Sequence, residues 1–279
     1  MKRFPSGYAC MMAVGLMAAC SAQQRVDAQV TAAKALVSDE DENRIGEQVH
    51  AELEKQGIRY LNNPTVTSYV EQIAKPIIDQ ARDERPGVHW HVHVVDDPKT
   101  VNAFATPGGH LYVMSGLLSQ VDTDAELAGV LAHEAGHVVA RHTARQLVAL
   151  YGMQTVAAMA LGKDPTLIKQ VAAMLATRGV LLAYTRSAER EADEWGARFA
   201  SAADFDPHGI VKFFEKLKAR EGQIPQVLTW LMDHPPTADR IAHVNQFIDE
   251  NNLGGGKPDS GRLPAVKQAI VSGVPRAAL

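Results

Sequence analysis

The sequence predicts an α+β fold that is mainly helical, with a small β-sheet packed beside a central helix. Apolar residues recur at helical spacing in several long segments, whereas strand-like alternation is confined to stretches near residues 88–95 and 101–114. The chain has 279 residues, of which 46% are hydrophobic and 22% are charged, as in globular proteins. Its formal net charge of −4 offers no basic surface, so we expect no nucleic-acid partner.

Local patterns predict the elements in chain order. Residues 65–80 have the apolar stripe of an amphipathic helix. Two strands are predicted after it, around residues 88–95 and 101–114, and Pro107-Gly-Gly is the turn signal. Residues 147–183 are strongly apolar, but charged residues and Pro165 interrupt them. Neither of the apolar pieces on the two sides of this interruption has the length of uninterrupted apolar sequence that a membrane-spanning helix needs. We therefore expect no transmembrane helix in the mature chain.

The most informative pattern is His-Glu-Ala-Gly-His at residues 133–137. Capping residues at 122–124 and apolar residues at helical spacing place it within a helix. His133 and His137 then lie one turn apart on one face, where two imidazoles can hold one tetrahedral zinc ion. Glu134 projects beside the open coordination position, where its carboxylate can take a proton from water. This HExxH pattern is typical of zinc-dependent peptidases.

A third protein ligand is expected, because a catalytic zinc usually has three. Ser187, interpreted as a helix N-cap, opens a segment that contains four acidic residues. Glu189 and Asp193 are four residues apart and share a helix face. Glu189 can bind the metal, while Asp193 can accept the other ring N–H of a ligand histidine. Glu191 is the competing ligand, and a solvated charged helix is the alternative to any site here.

Together with Ala140-Arg-His142, these motifs resemble the gluzincin peptidase family that contains HtpX, BepA, LoiP and the CAAX prenyl proteases. The resemblance covers roughly residues 45–250 and is closest to the soluble periplasmic branch of LoiP and BepA. It implies a zincin-like metallopeptidase domain with one zinc ion per chain. By this resemblance His133, His137 and Glu189 bind the zinc ion, and Glu134 is the general base.

The segment Asp-His-Pro-Pro-Thr-Ala-Asp-Arg, residues 233–240, resembles the C-terminal His-Pro motif of the same family. The resemblance implies that His234 can take the fourth zinc position as a switch that must move before hydrolysis. The alternative is a loop that ends at the start of a helix. Arg240 can polarise the scissile carbonyl in the transition state, or it can form a packing contact or a surface salt bridge.

A strand of the second alternating stretch is expected to line the substrate cleft. Asn102, Ala103 and Phe104 are predicted to form an edge strand there. An extended substrate could add to this edge as a further strand, through main-chain hydrogen bonds.

The remaining histidines are interpreted as structural or surface residues. His89, His91 and His93 alternate along a predicted strand and so share one face, while the apolar face belongs in the core. That row could bind a metal, but a partly solvated strand face is the preferred interpretation. His50 and His110 have no companion at ligand spacing.

The N-terminus predicts export and lipidation. Residues 1–19 have the basic start and apolar run of a lipoprotein-type signal peptide. Ala19-Cys20-Ser21 resembles a lipobox with Met17 where Leu is usual, so Cys20 is the expected lipidation site; ordinary signal cleavage is the alternative. The remaining divisions are a tether at 20–45, the zinc metallopeptidase domain at 46–250 and a flexible C-terminal tail at 251–279.

These patterns predict a zinc metalloendopeptidase acting on unfolded or misassembled cell-envelope proteins. We expect its substrates to be envelope or outer-membrane proteins, and its only membrane link to be the N-terminal lipid. That places the protein in the periplasm, lipid-anchored to the outer membrane. The alternative function is a zinc-stabilised chaperone or scaffold for outer-membrane protein assembly, with proteolysis repressed.

Overall fold

The helix that carries the HExxH residues lies at the centre of the fold. The computed structural model describes residues 37–178, 184–220, 234–235 and 238–273. The central helix begins after Thr123, whose side chain accepts the N–H of Glu126, and it ends at Val139. Almost all of its residues are buried, so the metal-binding pattern sits inside the protein. The predicted fold class is confirmed: the chain is mainly helical with one small sheet.

The described helices and strands follow one another in this order: α1 Asp39–Lys55, α2 Pro64–Glu84, β1 His91–Val95, β2 Ala103–Ala105, β3 His110–Met114, α3 Ser115–Gln120, α4 Asp124–Val139, α5 His142–Tyr151, α6 Met153–Ala160, α7 Pro165–Arg178, α8 Arg186–Ala202, α9 Gly209–Ala219, α10 Ala238–Glu250 and α11 Leu263–Gly273. Helices α2, α8 and α9 pack around α4. A short 3₁₀ turn, Pro107–Gly109, joins β2 to β3.

The sheet has three described strands in the order β1-β3-β2. β1 runs parallel to β3, and β2 runs antiparallel to it. Alternate residues of the sheet face two different layers. One face, with Val94 and Val113, joins the main core around α4. The other face, with Val95 and Tyr112, packs against α1, α6 and α7.

The C-terminal segment corrects one prediction. Residues 251–279 were expected to form a flexible tail, but Leu263–Gly273 is the helix α11. Leu263, Val266 and Ile270 are 6%, 0% and 4% exposed, and α11 packs on α2 and α3. Their spacing of three and four residues forms a helical stripe beyond the glycine-rich stretch, and that stripe gives the segment an apolar face to bury.

The folded domain begins before residue 46. The tether at 20–45 was expected to become helical near Asp39, and α1 does begin at Asp39, with Ser38 as a capping-box residue. Two arginines fix the start of α1. Arg85 pairs with Asp39 at 2.5 Å and donates to the carbonyl of Val138 at 2.6 Å, while Arg141 also pairs with Asp39. The first turn of α1 therefore belongs to the folded domain.

None of the helices in the described ranges combines the length and the apolar character that a membrane crossing requires. The apolar region from residue 147 forms α5, α6 and α7. Residues 179–183 of that region lie outside the described residues.

Ile270→Ala should lower the free energy of unfolding by about 2–5 kcal/mol, because it removes buried apolar contacts between α11 and the core. Val271→Ala is the matched control, since Val271 is 72% exposed and should change stability by less than about 0.5 kcal/mol. Urea denaturation of both variants measures this difference. Equal stability of the two variants would show that α11 does not contribute to the core.

Candidate metal centre

Four buried side chains converge between α4, α8 and the segment before α10. One ligand atom from each of His133, His137, Glu189 and His234 lies within 4.8 Å of the others. The Nε2 atoms of His133 and His137 are 3.0 Å apart, and His234 Nδ1 is 3.2 Å from His133 Nε2. His234 Nδ1 is also 3.2 Å from a Glu189 oxygen. All four residues are at most 3% exposed.

The local fold explains how these side chains meet. The HExxH spacing puts His133 and His137 on the face of α4 that contacts α8. α8 begins after Thr185, whose hydroxyl caps the N–H of Ala188. Ser187, the predicted N-cap, is instead inside the first turn. This start places Glu189 in the first turn of α8, facing the two histidines.

Asp193 supports His133 from one turn further along α8. Its Oδ1 is 3.0 Å from His133 Nδ1, so the ring donates its Nδ1–H there and directs the Nε2 lone pair into the cluster. Arg240 pairs with both oxygens of Asp193, at 2.5 and 2.8 Å. Burial alone would raise the pKa of Asp193, but Arg240 and His133 outweigh it and lower the pKa to about 2. Asp193 is therefore ionised at neutral pH.

A second chain of hydrogen bonds supports His137, and sequence reasoning did not find it. His137 Nδ1 lies 2.8 Å from His142 Nδ1, and His142 Nε2 lies 3.1 Å from Glu191. If the Nε2 lone pair of His137 faces the metal, its Nδ1–H donates to His142, which donates in turn to Glu191. The hydrogen bond from His142, followed by Arg145, lowers the pKa of Glu191 to about 2.

The backbone break after α4 makes this second chain possible. Arg141 adopts a left-handed conformation with φ of 59°, so the chain reverses and His142 returns beside His137. The motif Ala140-Arg-His142 was visible in the sequence, but the role of its histidine depends on that reversal. Glu191, the competing ligand, does not join the cluster, and its side chain is 42% exposed.

The residues fit a zinc ion. Three imidazole nitrogens and one carboxylate are ordinary zinc ligands, and bonds of about 2.0–2.1 Å in a tetrahedron separate them by about 3.3 Å. The separations of 3.0 to 3.6 Å between ligand atoms agree with this. Charge agrees as well: three buried carboxylates, Glu134, Glu189 and Asp193, face one buried guanidinium, Arg240. With neutral histidines the formal charge is −2, which a divalent cation neutralises.

The other predicted site residues take the following positions. Arg240 contacts Glu189 at 2.6 Å besides Asp193, so in this structure it forms a buried ion pair; its transition-state role stays a prediction. Asn102 immediately precedes β2, whose described partner is β3 alone. Ala103 and Phe104 lie in β2 and are 0% and 3% exposed. Cys20 lies outside the described residues.

Comparison with known proteins gives the family. The model of peptidase family M48 matches residues 63–248, which is most of the described domain. The chain belongs to peptidase family M48. Members of this M48 family are zinc metalloproteases, which agrees with the ligand set. The resemblance drawn from the HExxH and Glu189–Asp193 motifs is thereby confirmed.

Relatives of this M48 protein occur in bacteria and in mitochondria. Mitochondrial metalloendopeptidase OMA1 of Schizosaccharomyces pombe is 34% identical over 217 residues, which are 77% of this chain and 63% of that protein. The beta-barrel assembly-enhancing protease of Escherichia coli is 27% identical over 201 residues, or 68% of this chain and 40% of that protein. The chain thus spans less than two thirds of these relatives, and the bacterial match agrees with the predicted BepA-like branch.

Asp193→Asn should weaken zinc binding by about 10–100-fold, because the neutral amide orients His133 less strongly and removes the charge that Arg240 pairs with. Competition with a zinc chelator measures the affinity. Glu194→Gln is the control: this neighbour points away, pairs with His243, and should leave zinc affinity unchanged. Equal affinities for Asp193→Asn and the unmodified protein would contradict the supporting role.

Proposed function

We propose that this chain is a zinc-dependent endopeptidase that hydrolyses peptide bonds of protein substrates. The position of Glu134 is the observation that carries the proposal. It follows His133 on α4, is 2% exposed, and its Oε1 lies 3.5 Å from His234 Nε2. Its carboxylate therefore borders the position that His234 fills, and a water molecule in that position would lie against Glu134.

The chemistry divides between the metal and Glu134. A zinc ion held by His133, His137 and Glu189 would supply a Lewis acid, which polarises a carbonyl and makes water acidic near neutral pH. Glu134 takes the proton of the attacking water and later donates it to the leaving amine nitrogen. Asp193 and His142 keep the two ligand imidazoles in the orientation and tautomer that metal binding requires. No covalent enzyme intermediate is needed.

His234 lies at ligand distance from the cluster, because its Nδ1 is 3.2 Å from His133 Nε2 and from a Glu189 oxygen. With His234 as a fourth protein ligand, no open position would remain for water or a carbonyl, and hydrolysis by zinc enzymes requires one. We therefore propose that His234 represses the activity until it moves.

The β2 edge of the sheet, where a substrate strand is expected to pair, is buried in this structure. The alternation of the β2–β3 pairing directs the backbone groups of Ala103 and Ala105 away from β3, where a substrate strand could pair. Ala103 and Ala105 are only 0% and 4% exposed, and the Ala103 N–H is bonded to the side chain of Asn102 at 2.9 Å. Before a substrate strand could pair with Ala103 and Ala105, the groups that bury these two residues would have to move. This is consistent with a repressed enzyme.

We propose further that the substrates are unfolded or misassembled envelope proteins, met in the periplasm at the outer membrane. The name of the bacterial relative, beta-barrel assembly-enhancing protease, supports this setting. The OMA1 relatives are mitochondrial by name, so family membership alone does not fix the location. The lipobox-like residues around Cys20 supply the second support.

Removing His234 should raise hydrolysis, and removing Glu134 should abolish it. A purified, zinc-loaded His234→Ala protein should cleave an unfolded casein substrate at least about tenfold faster than the unmodified protein, if closure is favoured by about 1.4 kcal/mol. Adding Glu134→Gln to that variant should slow cleavage at least about 100-fold, because the general base is lost. Release of peptides measures both rates, with zinc content checked in each protein.

Glu194→Gln in the His234→Ala background is the matched control and should cleave at the His234→Ala rate. Full zinc occupancy without cleavage in His234→Ala would favour the chaperone alternative. Equal rates with and without Glu134 would refute its role as base.

Cys20→Ser should prevent lipidation, because only a cysteine thiol accepts the diacylglyceryl group. Metabolic labelling with a fatty acid in a double-membraned bacterial host should mark the unmodified protein and the Cys10→Ser control, but not Cys20→Ser. An unlabelled wild-type protein would favour ordinary signal cleavage.

A further inference from the structure

A second group of histidines lies on the face of the sheet that α1 covers. His91 and His93 of β1 lie opposite His110 and Tyr112 of β3 in the parallel register. α1 adds His50, whose ring is 4.5 Å from that of His93 and 5.1 Å from that of His110. His50, His93 and His110 are here called the sheet histidine cluster. The structure thus gives His50 and His110 the companions that the sequence did not reveal.

We propose that the sheet histidine cluster binds a second divalent transition-metal ion, separate from the HExxH centre. One ring nitrogen of each histidine lies within 4.8 Å of the other two. His93 Nε2 and His110 Nδ1 are 3.1 Å apart. That distance falls within the 3.0 to 3.6 Å that separate ligand atoms in the HExxH centre, so these two nitrogens already have the separation of ligands that share one ion.

Two carboxylates of α1 lie near the Nε2 atoms of His110 and His50. Glu47 lies 3.7 Å from His110 Nε2, and Glu54 lies 3.8 Å from His50 Nε2. Each carboxylate favours a proton on Nε2 of its histidine, which leaves the Nδ1 lone pair for a metal. His110 is 2% exposed, and its Nε2 has no hydrogen-bond partner among the described residues.

Tyrosines complete the inner surface of the cluster. The hydroxyls of Tyr112 and Tyr60 lie 3.0 and 3.1 Å from His50 Nδ1. Burial raises the pKa of Tyr60 to about 12, so this hydroxyl is neutral and adds no charge. A metal ion bound to His50 Nδ1 would replace the hydrogen bonds between this nitrogen and the two hydroxyls. The hydroxyls would move away or lie beside the bound ion.

Neutral imidazoles make the cluster suitable for zinc, copper or nickel rather than for calcium or magnesium. Because the ligands come from α1, β1 and β3, a bound ion would cross-link the N-terminal helix to the sheet.

Metal counting tests the proposal. The full chain, dialysed against Zn²⁺ alone at neutral pH, should bind one ion more per molecule than His50→Gln, as measured by elemental mass spectrometry. His91→Gln is the matched control: His91 is on the same strand face but outside the cluster, and this variant should bind as many ions as the unmodified protein. Added zinc should also raise the melting temperature of the unmodified protein more than that of His50→Gln.

His93→Gln serves as a second variant if circular dichroism shows that His50→Gln is misfolded. Equal ion counts in the unmodified protein and the folded His50 or His93 variant would overturn the proposal. Loss of the ion in His91→Gln but not in His50→Gln would also overturn it, because the ion would then belong to Glu47, His91 and His110.

Discussion

The close approach of α8 to α4 is the constraint on which the metal centre depends. A Cβ atom at Gly136 would lie 2.7 Å from the carbonyl oxygen of Ala192, and one at Gly196 would lie 3.1 Å from the amide nitrogen of His133. Only glycine allows the two backbones to come this near. The approach brings Glu189 to the two ligand histidines and Asp193 to His133. A wider separation would place the carboxylates out of reach while leaving both helices intact.

That same proximity concentrates charge among buried side chains. Glu134, Glu189 and Asp193 are buried with Arg240 as the one buried cation among the described residues of the centre. Without a metal ion the excess negative charge acts on His234. Burial disfavours its protonation, but Glu189 and Glu134 outweigh burial and raise its pKa. A divalent ion would supply the positive charge that balances the two carboxylates. His234 would then no longer need a proton and could act as a neutral ligand. The histidine can therefore occupy one position in both states, which is why it suits a reversible block.

The sequence predicted the parts of this design that depend on local spacing. HExxH on one helix, and Glu189 with Asp193 on another, follow from a period of 3.6 residues. The role of His142 could not be predicted in this way, because it depends on the left-handed backbone at Arg141. The sheet histidine cluster joins residues from three elements, with His50 and His110 sixty positions apart, so no periodicity links them. For the helix α11 the local signals conflict: the glycine-rich stretch before it indicates flexibility, whereas the apolar stripe beyond that stretch gives the segment a face to bury.

The contacts also determine which part of the C-terminal region can move when the site opens. Arg240 of α10 makes two hydrogen bonds to Asp193 and a 2.6 Å ion pair with Glu189, all buried. Removing one partner of such a buried pair costs about 3–5 kcal/mol. His234 contacts His133, Glu189 and Glu134 at 3.2 to 3.5 Å, and incoming water can replace these contacts. Opening by withdrawal of α10 would therefore cost more than rotation of the His234 side chain. In the proposed mechanism the less costly motion would leave Arg240 in place, where it would keep Asp193 ionised and His133 oriented during hydrolysis.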